Sequence, residues 1–336
     1  MQPKKKIQQF LPADISKLLL KNFSNLMLEF YEMQTTFLKT RYKVHGSLET
    51  SNIIINFIKN VHLAIVRQRE KSLDFDISLN SFWDNLQKIE IQSQKIVSIV
   101  STTGIPKETV RRKIQDLMKK DYVSSDSKNK GYYWNLTAKR KDGYLKISRD
   151  DVLAISKFIS YTTRCLNLNL SNKIIQEELE SQFSFYFYHF LQCELSWLKM
   201  WKTKIKDVDL MFITIQALIP TLKLEEKIKK DINFDNIHSI IGEAHNNYSN
   251  ENAISASSIS EVTGIPRATC IRKLQKLVNL GMLIQESKTK RYLVNQNTSD
   301  RTKHIAKKEN IAFTIQAFSE FLSIVINALI RNQKFY

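Results

Sequence analysis

The residues in this chain best suited to chemistry are cations and amides on short periodic segments, and they occur twice. The stretch TGIPKETVRRKIQDL, Thr103 to Leu117, returns 160 residues later as TGIPRATCIRKLQKL, Thr263 to Leu277. At helical spacing Val110, Ile114 and Leu117 share one side of the first, and Cys270, Leu274 and Leu277 share one side of the second. The opposite sides carry Lys107, Glu108, Thr109, Arg111, Arg112 and Gln115, and then Arg267, Ala268, Thr269, Ile271, Arg272 and Gln275. Arginine and lysine pair with phosphates or guanine edges and glutamine with adenine, so such a face suits a nucleic-acid groove.

Other chemistries find little footing. No Gly-rich phosphate loop, nucleophile elbow or paired-carboxylate arrangement is visible, so the chain reads as a non-enzyme with no catalytic residue. His189 and Cys193 lie four apart within the aromatic run FSFYFYHFLQCELSWLKMW, Phe183 to Trp201. Two ligands do not make a metal site, and the run reads as core or interface packing. Cofactors and metals are therefore not expected. Three scattered cysteines, Cys165, Cys193 and Cys270, fit a reducing, cytoplasmic compartment. The net charge of +18 makes a polyanion the natural partner.

Length and composition supply the frame. The chain has 336 residues with 43% hydrophobic content, enough for two domains, and only 7 Gly and 5 Pro, so helix should dominate. A shift of 160 pairs Ser98–Asn135 with Ser258–Asn295 without a gap, and sixteen of the 38 pairs are identical. Weaker matches keep that register: Phe23 with Phe183, Phe30 with Phe190, Phe37 with Trp197, Ile53 with Ile213 and Ile155 with Ile315. The expectation is a mainly α protein made of two repeats, 1–168 and 169–336, joined near Leu168 to Lys173. Helices are predicted near 15–40, 50–70, 79–92 and 149–166, and near 173–203, 206–230, 235–247 and 305–332.

Around the repeated device the local signals agree. Ile259 and Val262 of the short segment Ser257 to Thr263 should face inward, with the small Ser260 at a close helix crossing. Gly264 supplies the left-handed residue after a helix, and Pro266 opens the next one. Together these make a helix-turn-helix at 95–121 and at 255–281. After each comes a hairpin signal, at 122–137 and 282–297, with basic tips at Lys128 and Lys130, and at Lys288, Lys290 and Arg291. Those tips could reach flanking phosphates or a minor groove.

These segments resemble winged helix-turn-helix transcription regulators of the broad group that includes the MarR, GntR and Crp types. The resemblance rests on TGIPKETVRRKIQDLMKKDYV and TGIPRATCIRKLQKLVNLGML with their hairpins, about 40 residues per half. Asp121 stands where the pattern has glycine, and Ile271 where it has a polar groove residue. The resemblance implies tandem winged-helix domains embedded in further helices with pseudo-two-fold internal duplication, sequence-specific binding of double-stranded DNA, and transcription regulation by a single-chain pseudo-dimer. Glu108 and Arg111 become Ala268 and Ile271, so the two half-sites should differ, as an imperfect palindrome or a direct repeat. A plasmid-type replication initiator with two winged-helix domains is the alternative.

Both ends of the sequence carry expectations of their own. The basic start MQPKKKIQQF reads as a tail rather than a signal peptide. The segment NIAFTIQAFSEFLSIVINALI, Asn310 to Ile330, is long enough to span a bilayer but carries Gln316, Glu320 and Asn327. It reads as a buried helix, 305–332, through which a homodimer could form, and not as a membrane anchor. A lipid- or partner-anchored structural protein is the third reading.

Overall fold

Helices α1 (Pro12–Lys21), α2 (Phe23–His45), α3 (Leu48–Lys71) and the short α4 (Phe82–Asn85) lead into α5 (Ile96–Thr103) and α6 (Lys107–Lys119). Strands β1 (Val123–Asp126) and β2 (Gly131–Trp134) follow, and α7 (Lys141–Cys165) closes the first half. The second half runs α8 (Asn172–Ser181), α9 (Phe183–Ile205), α10 (Val208–Ile228), α11 (Ala256–Thr263), α12 (Arg267–Asn279), β3 (Leu283–Gln285), β4 (Tyr292–Val294) and α13 (Lys308–Gln333). The protein is thus mainly helical. This computed structural model describes residues 9–135, 137–228, 253–295 and 308–333. The helix expected at 235–247, residue 136 of the first expected hairpin and residues 296 and 297 of the second lie outside them.

Five helices, α1, α2, α3, α5 and α6, start 160 residues before α8, α9, α10, α11 and α12. The helices expected at 15–40 and 173–203 are each broken once, at Asn22 and Gln182, with nearly the same backbone angles (φ −105°, ψ 35° and φ −113°, ψ 36°). At the first break the Asn22 amide donates to the Leu18 carbonyl at 3.0 Å, a side chain competing with the helix ladder. The helix expected at 79–92 is reduced to α4. Polar side chains hold the neighbouring backbone instead: Ser78 N–H donates to Asp76 and Ser81 Oγ to the Asp76 carbonyl. Leu79 N–H bonds the Glu180 carbonyl at 2.9 Å and Ser184 N–H the Ile77 carbonyl at 3.0 Å, which fastens this loop to α8 and α9.

The packing comes in matched pairs. Helix α7 lies on α2 as α13 lies on α9; α3 crosses α9 as α10 crosses α2; α8 covers α7 as α1 covers α13. At the centre Phe30 meets the Trp197 ring at 5.7 Å and Phe37 meets Phe190 at 5.2 Å; Phe190 lies 160 residues after Phe30 and Trp197 160 after Phe37, so each contact joins one residue to the counterpart of the other. Between them Gln34 donates to Glu194 at 2.8 Å, both side chains wholly buried. The aromatic run of α9 supplies this core, with Phe183, Tyr186, Phe187, Phe190 and Trp197 buried.

The stripe of α13 is also used inside the chain. Ile315, Phe318, Leu322, Val325 and Leu329 are buried against α1 and α9. Asn327 exchanges hydrogen bonds with the Phe10 backbone at 2.9 and 2.8 Å, while Gln316 and Glu320 face solvent. Glu309–Asn332 is long and apolar enough to cross a membrane, yet most of it is covered by the chain itself. The apolar stripe considered for a homodimer is thus occupied by α1 and α9.

Asp121 and Gly281 take the same left-handed conformation, φ 56° and 71°, just after α6 and α12. Tyr122 N–H bonds the Leu117 carbonyl and Met282 N–H that of Leu277, both at 2.9 Å, which closes the two helix ends alike. Aspartate tolerates that backbone less well than glycine, and its carboxylate gains only an exposed contact to Lys139 at 3.9 Å. Asp121→Gly is expected to stabilise the protein by about 0.5 kcal/mol, read as a higher urea midpoint. A lowered midpoint would contradict this account of the turn.

Candidate nucleic-acid interface

The tight turns between α5 and α6 and between α11 and α12 follow from the motif TGIP residue by residue. Thr103 Oγ1 donates to the Ile99 carbonyl at 2.7 Å and accepts from Ile105 N–H at 3.3 Å; Thr263 does the same with Ile259 and Ile265 at 2.6 and 3.1 Å. Gly104 and Gly264 end the first helices at φ 68° and 76°, where a Cβ would be strained. Ile105 and Ile265 are fully buried and pin the turn, and the carbonyls of Pro106 and Pro266 accept the first bonds of α6 and α12. Two details differ from the sequence reading. Val262 is 37% exposed rather than inward, and Ser260 ties the turn by donating to the Ile265 carbonyl at 2.7 Å.

The inward sides of α6 and α12 are those expected: Val110, Ile114 and Leu117 are buried, as are Cys270, Leu274 and Leu277. On the outer faces Lys107, Glu108, Arg111, Arg112 and Gln115 are exposed and Thr109 is half-buried. Arg267, Ala268, Ile271, Arg272 and Gln275 are exposed in the same way, with Thr269 half-buried. Some of these groups are already in contact: Arg111 with Glu108 at 3.7 Å, Arg267 Nε with Ser257 Oγ at 3.0 Å, and Gln275 with Asn279 at 3.2 Å.

Each hairpin is antiparallel, with Val123 opposite Trp134 and Leu283 opposite Val294. A third segment that the sequence reading missed joins each one. Gln94 exchanges backbone bonds with Tyr132 at 2.7 and 2.9 Å, and Ile254 does so with Tyr292 at 2.9 Å both ways. The recurring tyrosine was the available signal. Lys128, Lys130, Lys288, Lys290 and Arg291 are exposed at the tips. Lys130 and Lys290 have positive φ, 49° and 57°, and Asp126 accepts from Lys128 and Asn129 N–H at 3.1 Å.

Two further lysines look similar in sequence but have other work. Lys113 donates to Ser47 Oγ at 3.1 Å and Thr50 Oγ1 at 3.0 Å and lies 3.7 Å from Glu49. Its counterpart Lys273 donates to both carboxylate oxygens of Asp207 at 2.9 and 2.8 Å and lies 3.7 Å from Asp209. Burial pushes the Asp207 carboxyl up, but the hydrogen bonds and charge of Lys273 outweigh it and hold it below the ordinary value. Asp209 also accepts from Leu48 N–H at 3.1 Å, and Lys202 bonds Glu49. One continuous polar cluster thus yokes α6 and α12 to the adjoining starts of α3 and α10.

Elsewhere the chemistry is sparse. Among the described residues no three His, Cys, Asp or Glu side chains gather as a metal would require. Cys193 is buried and its thiol is pushed up to about 12, mainly by desolvation. No protein-family model, curated protein or solved structure matches the chain.

Proposed function

We propose that the chain is a sequence-specific double-stranded DNA-binding protein, a cytoplasmic transcription regulator built from two winged helix-turn-helix heads in an internally duplicated chain. Helices α6 and α12 are its reading helices and the two hairpins its wings. The observation that carries the proposal is the repeated unit itself: helix, TGIP turn, helix with an exposed cationic face, and a hairpin with basic tips, twice at one spacing. A duplicated unit explains why Gln34 and Glu194, 160 residues apart, touch each other, since equivalent positions meet only at a two-fold axis.

That axis favours an imperfect palindrome over a direct repeat. Two heads related by a two-fold present their reading helices to half-sites of opposite polarity, about 10 base pairs apart if they meet successive major grooves. Ala268 and Ile271 would lie against thymine methyl groups where Glu108 and Arg111 meet polar base edges. Selection of bound duplexes from a random pool by the purified full chain tests this. The expected site has two unlike half-sites in inverted orientation. A perfectly symmetric site would overturn the unlike-head reading, direct repeats would favour an initiator, and no enrichment would remove DNA reading altogether.

A further inference from the structure

A cavity of about 270 Å³ opens between the first hairpin, the start of α7 and the faces of α2 and α3. One wall is apolar, made by Ile54, Ile58, Trp134 and Tyr144. The charged groups that line it are all cations: Arg41, Lys139 and Arg140. Arg41 is already neutralised by Asp151, with its two nitrogens 3.0 and 2.5 Å from the carboxylate oxygens. Lys139 is 68% exposed at the rim. His45 lines the same space, and its buried Nδ1 has no hydrogen-bond partner. An apolar pocket with a few convergent cationic and polar groups is the usual make-up of a small-molecule site.

Arg140 connects this space to the end of α6. Its guanidinium lies 3.7 Å from the centre of the Tyr122 ring and donates to the carbonyls of Lys120 and Asp121, which terminate the helix. Tyr122 also accepts from Asn135 N–H at 2.9 Å, so the same residue closes the base of the hairpin. A group that competes for Arg140 loosens both.

We propose that this cavity binds a small amphipathic carboxylate, with an apolar body of roughly a dozen heavy atoms against Trp134, Tyr144, Ile54 and Ile58 and its anionic end on Arg140. Binding draws Arg140 from the Lys120 and Asp121 carbonyls and so frees the end of α6 and the start of β1. The site stands without the DNA-binding reading; only the use made of the coupling rests on it.

The test uses the full chain without DNA and 2-naphthoate as probe, titrated calorimetrically beside its neutral amide. The acid is expected to bind saturably at one site, and the amide about tenfold more weakly. Arg140→Gln is expected to cost a similar factor. Val44 lines the mouth at 43% exposure, so Val44→Trp should block entry without disturbing the core, as a thermal melt of each variant would check. Hydrogen exchange of the amides from Lys119 to Val123 should rise when naphthoate binds. The site is overturned by no saturable binding to the wild type, by equal affinity for acid and amide, or by affinity unchanged in a folded Val44→Trp. Unchanged exchange overturns the coupling. None of these outcomes depends on whether the chain reads DNA.

Discussion

Glutamate at both Arg112 and Arg272 is expected to lower affinity for the selected DNA site by about a hundredfold or more at moderate salt. Both side chains are exposed at equivalent positions on α6 and α12, although the preceding residues, Arg111 and Ile271, differ. Removing either cation alone, as in Arg112→Ala, should cost about 1 to 3 kcal/mol if it reads a base, and weaken all sequences evenly if it touches phosphate. Reversing the charge at both adds repulsion from the backbone, and the slope of affinity against salt should flatten by about two ions. Titration by fluorescence anisotropy at several salt concentrations gives both numbers. The control is Lys157→Glu with Lys173→Glu, the same charge change at exposed sites on α7 and α8. If that pair weakens binding as much, net charge rather than the reading helices holds the DNA.

Glu194→Gln is expected to raise the melting temperature by several degrees at about pH 8.5 and to change it little near pH 5. Desolvation at the centre of the molecule pushes the Glu194 carboxyl up to about 8, with Gln34 and Arg41 working against that shift. An unfolded glutamate releases its proton near 4.5. Between those values the native state holds one more proton than the unfolded state, so stability falls as pH rises, by about 1.4 kcal/mol per unit. The loss is complete above the native value. Glutamine keeps the shape of the protonated acid without the titration, and its partner Gln34 shows that a buried amide fits this environment. Equal pH dependence of the two proteins would mean that Glu194 does not titrate in this range.

The repeated device was legible in detail because its residues are fixed by local physics. A left-handed residue after a helix needs glycine, the next helix needs a defined start, and the inward stripe must be apolar, so TGIP and the Val110, Ile114, Leu117 series announce themselves. Lys113 and Lys273 were not separable from Arg112 and Arg272, because a cation at the edge of a stripe can turn either way. Only Ser47, Glu49, Asp207 and Asp209, more than 60 residues away in each half, decide it. The loss of the helix expected at 79–92 has the same origin. Its apolar spacing was sound, but Ile77 and Leu79 are buried in an irregular segment before α4 whose backbone bonds α8 and α9. The cavity beside Arg140 needed contacts between α2, α3, β2 and α7, which no periodicity reports.

The crossed cover of α1 on α13 and α8 on α7 has a consequence for how the protein is made. Helix α1 is synthesised well before α13, so the surface that buries Ile15 and Leu19 is complete only when α13 arrives, some 300 residues later. Each half thus buries apolar surface against a helix of the other, and contacts so distant in sequence are slow to close. A chain that has not yet reached α13 therefore carries the apolar side of α1 without the cover it has in the folded protein.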